Sequence, residues 1–277
     1  MDSSTELSDI LRELRNGAES EARDLKRREE EAAQVEAFWD NLVKYLDKHW
    51  PIHILHLLER ESVLLGRIRT TANENATSVI SALSQNAQKN AAVLKRRFPD
   101  TLYQACQEDG LTIHRESRHP RYYFEDKFFT LEINDQRLLA RLSDYEGRLD
   151  EFPADIGAII ETIQRERRRL FGRQFDGKQF LKKLRKEYLA VLKKEEQEDG
   201  ASVPIRHITR RLGKNEKGFR SDEFLVDLSR LVTAGPLEIT GRRLELQQTK
   251  DTHQGMLLHG HATHGYVGFV LFRKVEQ

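Results

Sequence analysis

Apolar residues recur at spacings of three and four along the first hundred positions of the chain. Two such groups, separated by a charged stretch, lie within residues 5–48: Leu7, Ile10, Leu11 and Leu14, then Val35, Phe38, Trp39, Leu42, Val43 and Leu46. This spacing places apolar side chains on one face of an α-helix. The pattern predicts helix over residues 5–48, with a break at Asn16-Gly17.

A second helical run is predicted between two prolines. Pro51 disfavours helix at the residue before it and suits the first turn of a new helix. Residues 52–97 contain no proline and keep a helical seam of apolar and small side chains. Phe98-Pro99-Asp100 is expected to close this run, with a short helix over Asp100–Glu108 after it.

The charged stretch Glu19–Glu31 has Leu25 as its main large apolar residue. Such a stretch is either an exposed helix held by ion pairs between residues four apart, or a frayed helix. Residues 5–97 as a whole offer more apolar helix than a small C-terminal part can cover. They indicate either a self-contained antiparallel bundle or a coiled-coil arm that pairs with itself or with a partner subunit.

After Gly110 the period changes from that of a helix to that of a strand. Apolar and polar residues alternate in Leu111–His114 and in Phe128–Ile133, and a further short run, Leu138–Leu142, follows a turn. Short alternating runs separated by turn residues predict a small antiparallel meander. Helical spacing resumes at Ile156.

The last hundred residues predict a helix, a short strand, two more helices and a group of strands. The helices are expected at 177–194, at 205–212 and from an N-cap at Ser221 to Gly235. The strands are expected at 201–204, 237–240, 244–249, 256–259 and 266–275. This order resembles that of a winged-helix domain, although four C-terminal strands exceed a minimal wing, and no family-specific motif accompanies it.

The predicted fold class is therefore mainly α with small antiparallel β parts. A helical or coiled-coil region is expected over residues 1–108, a small β-meander over 109–152, and a basic winged-helix-like α+β domain over 153–277. A chain of 277 residues is long enough for two domains, or for one domain with an extended helical part.

Composition narrows the expected class of protein. The chain is 33% charged and 38% hydrophobic, which is typical of solvated helices and coiled coils. Its one cysteine, Cys106, cannot form an internal disulfide. The first residues lack the basic start and apolar run of a signal peptide, and no apolar run approaches the roughly 20 residues of a membrane span. We expect a cytoplasmic protein that does not enter the membrane.

The net charge of +1 conceals an uneven distribution along the chain. Residues 1–40 hold twelve Asp or Glu and six Lys or Arg, which gives a net charge of −6. Residues 165–220 hold eighteen Lys or Arg and eight Asp or Glu, which gives +10. Such a division indicates separate electrostatic roles, or two parts that attract each other.

The basic segment is the first candidate site. Clustered cations can neutralise a phosphate backbone and release its counterions. In a winged-helix interpretation, Ser221–Leu231 would be the recognition helix, although Asp222, Glu223 and Asp227 would repel phosphate. The alternative is a solvated surface, or cations paired with the acidic N-terminus. The residues predicted to contact nucleic acid are Arg168, Lys183, Arg206, Arg210, Arg211, Lys214, Lys217 and Arg220.

A histidine cluster near the C-terminus is the second candidate. On a strand, His259 and His261 would point to the same side, and two imidazoles so placed can chelate zinc with His264 or Asp251 as a third ligand. The alternative is a glycine- and histidine-rich loop with solvated imidazoles. A zinc site at His259, His261 and His264 is kept as a hypothesis.

The remaining polar groups give weaker indications. The run His114–Tyr123 mixes cations and aromatics and could stack bases, or it is a polar turn that leads into a strand with packed tyrosines. Glu132 with Asp135 is a weak magnesium candidate. Cys106 is expected to be a buried structural thiol. The sequence contains no phosphate-binding loop, dinucleotide fingerprint, nucleophile elbow or zinc-protease motif, so no catalytic residue is predicted.

These features together predict a non-catalytic DNA-associated subunit. Its helical arm would assemble a complex by self-association or with a protein partner, and its basic C-terminal half would contact nucleic-acid phosphates. The first alternative is a protein–protein adaptor or scaffold subunit of a complex that contains an ATPase or a nuclease. The second is a metal-dependent enzyme that uses the C-terminal histidines.

Overall fold

The computed structural model describes residues 3–71, 74–260 and 265–275. The chain forms two compact units, Met1–Arg96 and Arg97–Gln277. The first is helical, and the second combines helices with two antiparallel sheets. The predicted class, mainly α with antiparallel β parts, is confirmed at this level. Both the predicted meander and the predicted C-terminal part lie within the second unit.

In the part of the first unit that the structure describes there are four helices, and the last of them continues into the second unit. They are α1 (Ser3–Asp47), α2 (Pro51–Arg60), α3 (Ser62–Thr71) and α4 (Glu74–Glu108). Their shared core draws on the C-terminal third of α1, beginning at Phe38 and Leu42. The other buried members of this core are Ile54, Leu57, Leu64, Leu65, Ile68, Ile80 and Ala87.

Helix α1 is continuous through the predicted break at Asn16-Gly17, so that prediction is wrong. A glycine inside a helix costs about 1 kcal/mol relative to alanine, which weakens a helix without ending it. Local ion pairs support this stretch, including Arg15 Nε to Glu19 Oε1 at 2.7 Å and Arg27 to Asp24 at 3.2 Å. Every residue from Ile10 to Gln34 is exposed, so the charged stretch is an exposed helix.

The predicted single run over residues 52–97 is divided in the structure. Helix α2 begins at Pro51 as expected, but it ends at Arg60, and α3 starts two residues later. The predicted stop at Phe98-Pro99-Asp100 is also wrong, because α4 continues through Pro99 to Glu108. Phe98 and Leu102 on either side of Pro99 are both buried. Their packing offsets the backbone hydrogen bond that a proline removes.

The first sheet of the second unit is a four-stranded antiparallel meander in the order β1-β2-β3-β4. Its strands are β1 (Arg121–Phe124), β2 (Phe129–Asn134), β3 (Leu139–Asp144) and β4 (Gly147–Pro153). One face is buried by alternate residues, among them Tyr122, Leu131 and Leu142, which are fully buried. The meander prediction is confirmed, but the alternating run Leu111–His114 is not a strand, and the strand over Gly147–Pro153 was not predicted.

Beside the end of α4 and the meander, the described residues of the second unit form four further helices and a second antiparallel sheet. The helices are α5 (Ile156–Phe171), α6 (Gly177–Lys194), α7 (Ile205–Asn215) and α8 (Ser221–Ala234). The strands are β5 (Val203–Pro204), β6 (Glu238–Ile239), β7 (Arg242–Thr249), β8 (Met256–Leu257) and β9 (Tyr266–Lys274). The sheet order is β5-β9-β7-β6, and β8 also pairs with β9.

The bounds predicted for these C-terminal helices agree closely with those in the structure. Helix α6 has the predicted bounds, and its Tyr188 packs on Phe272 of β9 with ring centroids 5.0 Å apart. Helix α7 continues past Gly213 to Asn215. The predicted N-cap at Ser221 is wrong by one position, because Arg220 occupies it and makes no side-chain capping bond. No helix in the part of the chain that the structure describes is long and apolar enough to cross a bilayer.

Candidate nucleic-acid interface

Helix α8, the predicted recognition helix, is enclosed by the rest of its unit. Each residue from Ser221 to Val232 is buried or half-buried. The buried set includes Phe224, Leu225, Leu228 and Leu231 as well as the polar Asp222 and Ser229. A helix must present a free face to enter a DNA groove. The structure therefore argues against a groove-reading role for α8.

Ion pairs from α5 and from the residues just after it cover the acidic side of α8. Arg169 reaches Asp222 at 2.5 Å and Glu223 at 2.9 Å, and Arg173 reaches Asp227 at 2.7 Å. Burial alone would raise the pKa of Asp222, but hydrogen bonds from Arg220 and Arg169 hold that pKa below its usual value. Burial dominates at Asp227, whose pKa is raised despite the nearby Arg173. These acidic residues serve the packing of α5 on α8.

Four of the eight predicted contact residues are paired with carboxylates of the chain itself. Lys183 lies 2.6 Å from Glu216, and Arg211 lies 2.7 Å from Glu187. Arg220 lies 3.0 Å from Asp222. Each of these pairs lies wholly within the second unit, so the predicted alternative in which cations pair with the acidic N-terminus does not describe them. A paired cation offers less net charge to a phosphate.

Arg206, the fourth paired residue, connects separate elements of the second unit. Its guanidinium donates two hydrogen bonds to Glu146, at 2.5 and 3.0 Å, and one to the backbone carbonyl of Gly255 at 2.8 Å. Glu146 lies in the turn between β3 and β4, and Gly255 lies just before β8. Arg206 thus joins α7 to the meander and to the second sheet.

The other four predicted contact residues are exposed: Arg168, Arg210, Lys214 and Lys217. Among the residues that the structure describes, none of these four has a carboxylate within ion-pair distance. Arg210 and Lys214 are four residues apart, so they lie on the same face of α7. Arg168 lies on α5 and Lys217 in the loop before α8. The structure therefore brings two of the four onto one helix face.

A groove between the end of α6 and α7 is lined by two of these exposed residues, Arg210 and Lys214. We call it the α7 groove, and it has a volume of about 200 Å³. Its cations are Lys194, Arg210, Arg211 and Lys214. Among the described residues Glu195 is the single carboxylate in its lining, and its Oε1 lies 2.8 Å from Nδ1 of His207. The groove presents more positive than negative charge.

A second, more open cleft of about 520 Å³ lies along α7 toward the start of α8. His207 and Arg210 line both this cleft and the α7 groove. The cleft also contains Arg206 and, from the loop before β8, His253. Arg210 therefore stands between two concave surfaces. An extended polyanion could follow this side of α7 with Arg210 near its middle.

Of the two alternatives for the run His114–Tyr123, the structure agrees with a polar turn that leads into a strand with a packed tyrosine, and not with a base-stacking loop. Tyr122 is fully buried, and its hydroxyl lies 3.0 Å from Nδ1 of His119, whose Nε2 lies 2.8 Å from Asp135. Burial, with added repulsion from Tyr103, raises the pKa of Tyr122 well above its usual value. Arg121 is held by Glu132 across the strand pair. These residues make a satisfied turn and strand and leave no open stacking surface at Tyr122.

The same contacts bear on the weak magnesium candidate and on the cysteine. Glu132 already accepts from Arg121, and Asp135 is engaged by His119. Within residues 3–71, 74–260 and 265–275, no group of three potential metal ligands comes together.

Cys106 is buried, and burial with a contribution from Asp109 raises its pKa to about 12. A thiol with this pKa stays protonated at neutral pH and is a poor nucleophile.

The predicted zinc ligands fall partly outside the described residues, because His261 and His264 lie there. The ring of His259 packs against Phe171 and Phe128, with centroids 4.8 and 5.4 Å away. Its backbone N–H donates to the hydroxyl of Ser229 on α8. His259 thus has a packing role beside α8, and the zinc site stays a hypothesis from the sequence.

Sequence reasoning missed Lys194 as a member of the basic surface. It lies in the last turn of α6, and only the packing of α6 beside α7 brings it next to Arg210 and Lys214. The spacing of Arg210 and Lys214 was a usable signal, because residues four apart share a helix face. The carboxylates that neutralise Lys183, Arg206 and Arg211 gave no such signal, because they lie 24 to 60 residues away in sequence.

No protein-family model, curated protein or solved structure matches this chain. A function for it must therefore be argued from the chemistry and geometry of its own residues.

Proposed function

We propose that this protein is a non-catalytic DNA-associated subunit that contacts phosphates through the α7 groove and assembles through its N-terminal helix. The observation that supports this most directly is the charge of the groove. Lys194, Arg210 and Lys214 meet there with Glu195 as the one lining carboxylate among the described residues. Lys and Arg side chains exposed along a concave surface are what a phosphate backbone requires.

The proposal includes a winged-helix-like arrangement for residues 177–274. The order α6, β5, α7, α8, β7, β9 supports it, as does the antiparallel pairing of β5 with β9 and of β9 with β7. The proposed contact differs from the arrangement expected from sequence, because α7 replaces the enclosed α8 as the contacting helix. Phosphate contacts position a protein on DNA, whereas base contacts give specificity. The proposed binding is therefore mainly electrostatic.

The test is a titration of a fluorescein-labelled DNA duplex of about 20 base pairs, followed by anisotropy. The diagnostic variant is Arg210→Glu/Lys214→Glu, which reverses two exposed charges on one helix face. We expect its Kd to rise at least about tenfold, a loss of ~1.4 kcal/mol or more. The wild-type affinity should also fall steeply with salt, because each neutralised phosphate contributes about −0.9 to the slope of log K against log salt.

A matched control exists on the neighbouring helix. Lys178 and Lys182 of α6 are also exposed and four residues apart, but they do not line the α7 groove. Lys178→Glu/Lys182→Glu makes the same change in net charge and should alter the Kd much less. An Arg210→Glu/Lys214→Glu protein that binds the duplex with unchanged affinity would contradict the proposed contact. An RNA duplex of equal length, titrated in parallel, separates the two nucleic acids.

The second candidate is a protein–protein adaptor, which the bare N-terminal part of α1 favours. Ile10, Leu11, Leu14 and Leu25 are all more than half exposed there. Exposed apolar groups along one helix are typical of a protein-binding surface. Size-exclusion chromatography with and without DNA distinguishes the candidates, because a pure adaptor would elute unchanged when DNA is added.

A further inference from the structure

The N-terminal part of α1 is a helix without an apolar covering. We call residues 10–34 the arm, since each of them is exposed. Leu11 and Leu14 are 65% and 66% exposed, and Leu25 is 58% exposed. Isolated helices are marginally stable in water, and helices in proteins owe most of their stability to a buried apolar face. The arm therefore has an apolar face that a partner would stabilise.

That face is a straight stripe along the helix. Leu11, Leu14, Ala18, Ala22 and Leu25 follow one another at spacings of three, four, four and three. These spacings average 3.5 residues, so the stripe stays on one side of the helix for about 21 Å. The alanines in its middle permit close approach of a second helix.

Charged residues flank the stripe, and the two sides differ in sign. The positions directly after the stripe residues lie on one side and carry a net charge of +3: Arg12, Arg15, Glu19, Arg23 and Lys26. The positions directly before the stripe residues lie on the other side and carry a net charge of −3: Ile10, Glu13, Gly17, Glu21 and Asp24. Residues one step before and one step after a stripe position are about 200° apart around the helix.

This distribution of charge selects both a partner and an orientation. Consider two identical helices that pair in parallel about a two-fold axis. The side of the first helix that carries the positions before the stripe then faces the side of the second helix that carries the positions after the stripe. The acidic side of one helix then faces the basic side of the other, and Glu21 would meet Lys26, five residues further along the second helix. In an antiparallel pair the acidic sides face each other, and so do the basic sides. Like charges in such contacts are destabilising.

We infer that the arm pairs in parallel, and in register, with the arm of a second copy of this chain. The inference deepens the assembly role in the proposed function, on which it rests, by naming the partner and the geometry. It does not depend on the α7 groove. The apolar stripe supplies the attraction, and the oppositely charged flanks set the orientation.

The first measurement is the mass of the full-length protein by light scattering after size exclusion. We expect twice the 32.3 kDa of one chain. In Leu14→Glu/Leu25→Glu, where two stripe residues become charged, we expect the dimer Kd to rise on the order of 100-fold or more. The matched control is Val63→Glu/Val93→Glu, which alters two exposed valines outside the arm and should remain dimeric. A monomeric wild-type protein overturns the inference.

Disulfide trapping then tests the orientation. Single variants Leu11→Cys and Leu25→Cys are oxidised separately and as a mixture, and the native Cys106 is buried. In a parallel pair in register each variant cross-links to its own kind. In an antiparallel pair centred on Ala18, identical positions would lie about 21 Å apart, beyond disulfide reach, and only the mixture would cross-link. Cross-linking in the mixture alone overturns the parallel arrangement.

Charge exchange provides an independent check in the reduced protein. Glu21→Lys and Lys26→Glu should each weaken the dimer several-fold, and the double variant should restore it, because the exchanged charges attract again. A double variant weaker than both single variants contradicts the proposed pairing. Failure here is separable from failure of the DNA contact. If the protein is a monomer whose DNA binding still depends on Arg210 and Lys214, only the proposed arm pairing is contradicted. If it is a dimer that does not bind DNA, only the proposed α7-groove contact is contradicted.

Discussion

Individual charged residues in this protein differ in role according to what lies across from them in space. Arg206 and Arg210 are one helical turn apart on α7 and look equivalent in the sequence. Arg206 is held by Glu146 and Gly255, whereas Arg210 is exposed beside two concave surfaces. Glu146 is 60 residues from Arg206, so no local pattern reveals the pair. The cluster of cations could be predicted from sequence, but the division into anchoring and available cations could not.

Asp144 is a carboxylate with an unusual environment at the β3–β4 turn. Its Oδ1 accepts hydrogen bonds from the backbone N–H groups of Glu146 and Gly147, while its buried Oδ2 has no hydrogen-bond partner in the described structure. Burial raises its pKa from 3.8 to about 6, with a further contribution from the nearby charge of Asp222. The ionised form is therefore disfavoured in the folded protein.

This environment predicts how stability varies with pH. The pKa of Asp144 is higher in the folded than in the unfolded chain, so the folded state binds more protons between about pH 4 and pH 6. Asp144 therefore makes the free energy of unfolding fall as the pH rises through that window. Asp144→Asn should remove this dependence and stabilise the protein at pH 7 by roughly 1–2 kcal/mol. Urea unfolding at pH 5 and pH 7 measures both effects, and an unchanged or lower stability of the variant at pH 7 would contradict the assignment.

At the scale of elements, the helices show where local sequence signals decide and where packing does. Helix α6 has the bounds that its apolar spacing predicted, and α2 starts at Pro51. Pro99 and Gly17, both expected to interrupt helices, do not. At Pro99 the buried Phe98 and Leu102 hold the helix together. Propensity is a local quantity, and contacts distant in sequence that override it cannot be read from spacing.

The contact between α5 and α8 depends on a buried ion network. Arg169 contacts Glu166, Asp222 and Glu223, and the side chains of Glu166 and Asp222 are at most 10% exposed. Arg169→Met keeps most of the side-chain volume but removes the cation that these carboxylates share, while Arg165 and Arg220 remain as partners of Glu166 and Asp222. We expect a loss of about 1.5–3 kcal/mol in the free energy of unfolding, because hydrogen bonds to buried charged groups are lost.

Chemical denaturation at pH 7 measures this loss, and a substitution at an exposed arginine of the same helix provides the comparison. Arg168→Met changes a neighbouring residue of α5 that is exposed and has no carboxylate partner among the described residues, so its effect should stay within about 0.5 kcal/mol. Equal effects of the two substitutions would show that the network does not stabilise the contact.

For the whole molecule, the two proposed surfaces lie in different units and should act together. A dimer formed by the arm carries two α7 grooves, so binding at one raises the effective concentration of the other on the same DNA. Leu14→Glu/Leu25→Glu leaves the groove intact, yet we expect it to weaken binding to a long duplex by tenfold or more. Binding to a duplex too short for two grooves should change little.

Anisotropy with duplexes of about 12 and about 60 base pairs compares the two cases. Equal losses on both lengths would indicate that the arm variants damage the groove itself and not the joint action of two copies. The size of the effect is bounded by geometry, since linked sites gain nothing when a ligand cannot span them.

The enclosure of α8 determines how selective the proposed binding can be. The side chains of α8 pack against α5 and the surrounding core, so they are not available to form hydrogen bonds with base edges. A surface that contacts only sugars and phosphates binds DNA without distinguishing one base sequence from another. Random genomic fragments and synthetic copolymers should then compete with any chosen duplex on equal terms, nucleotide for nucleotide.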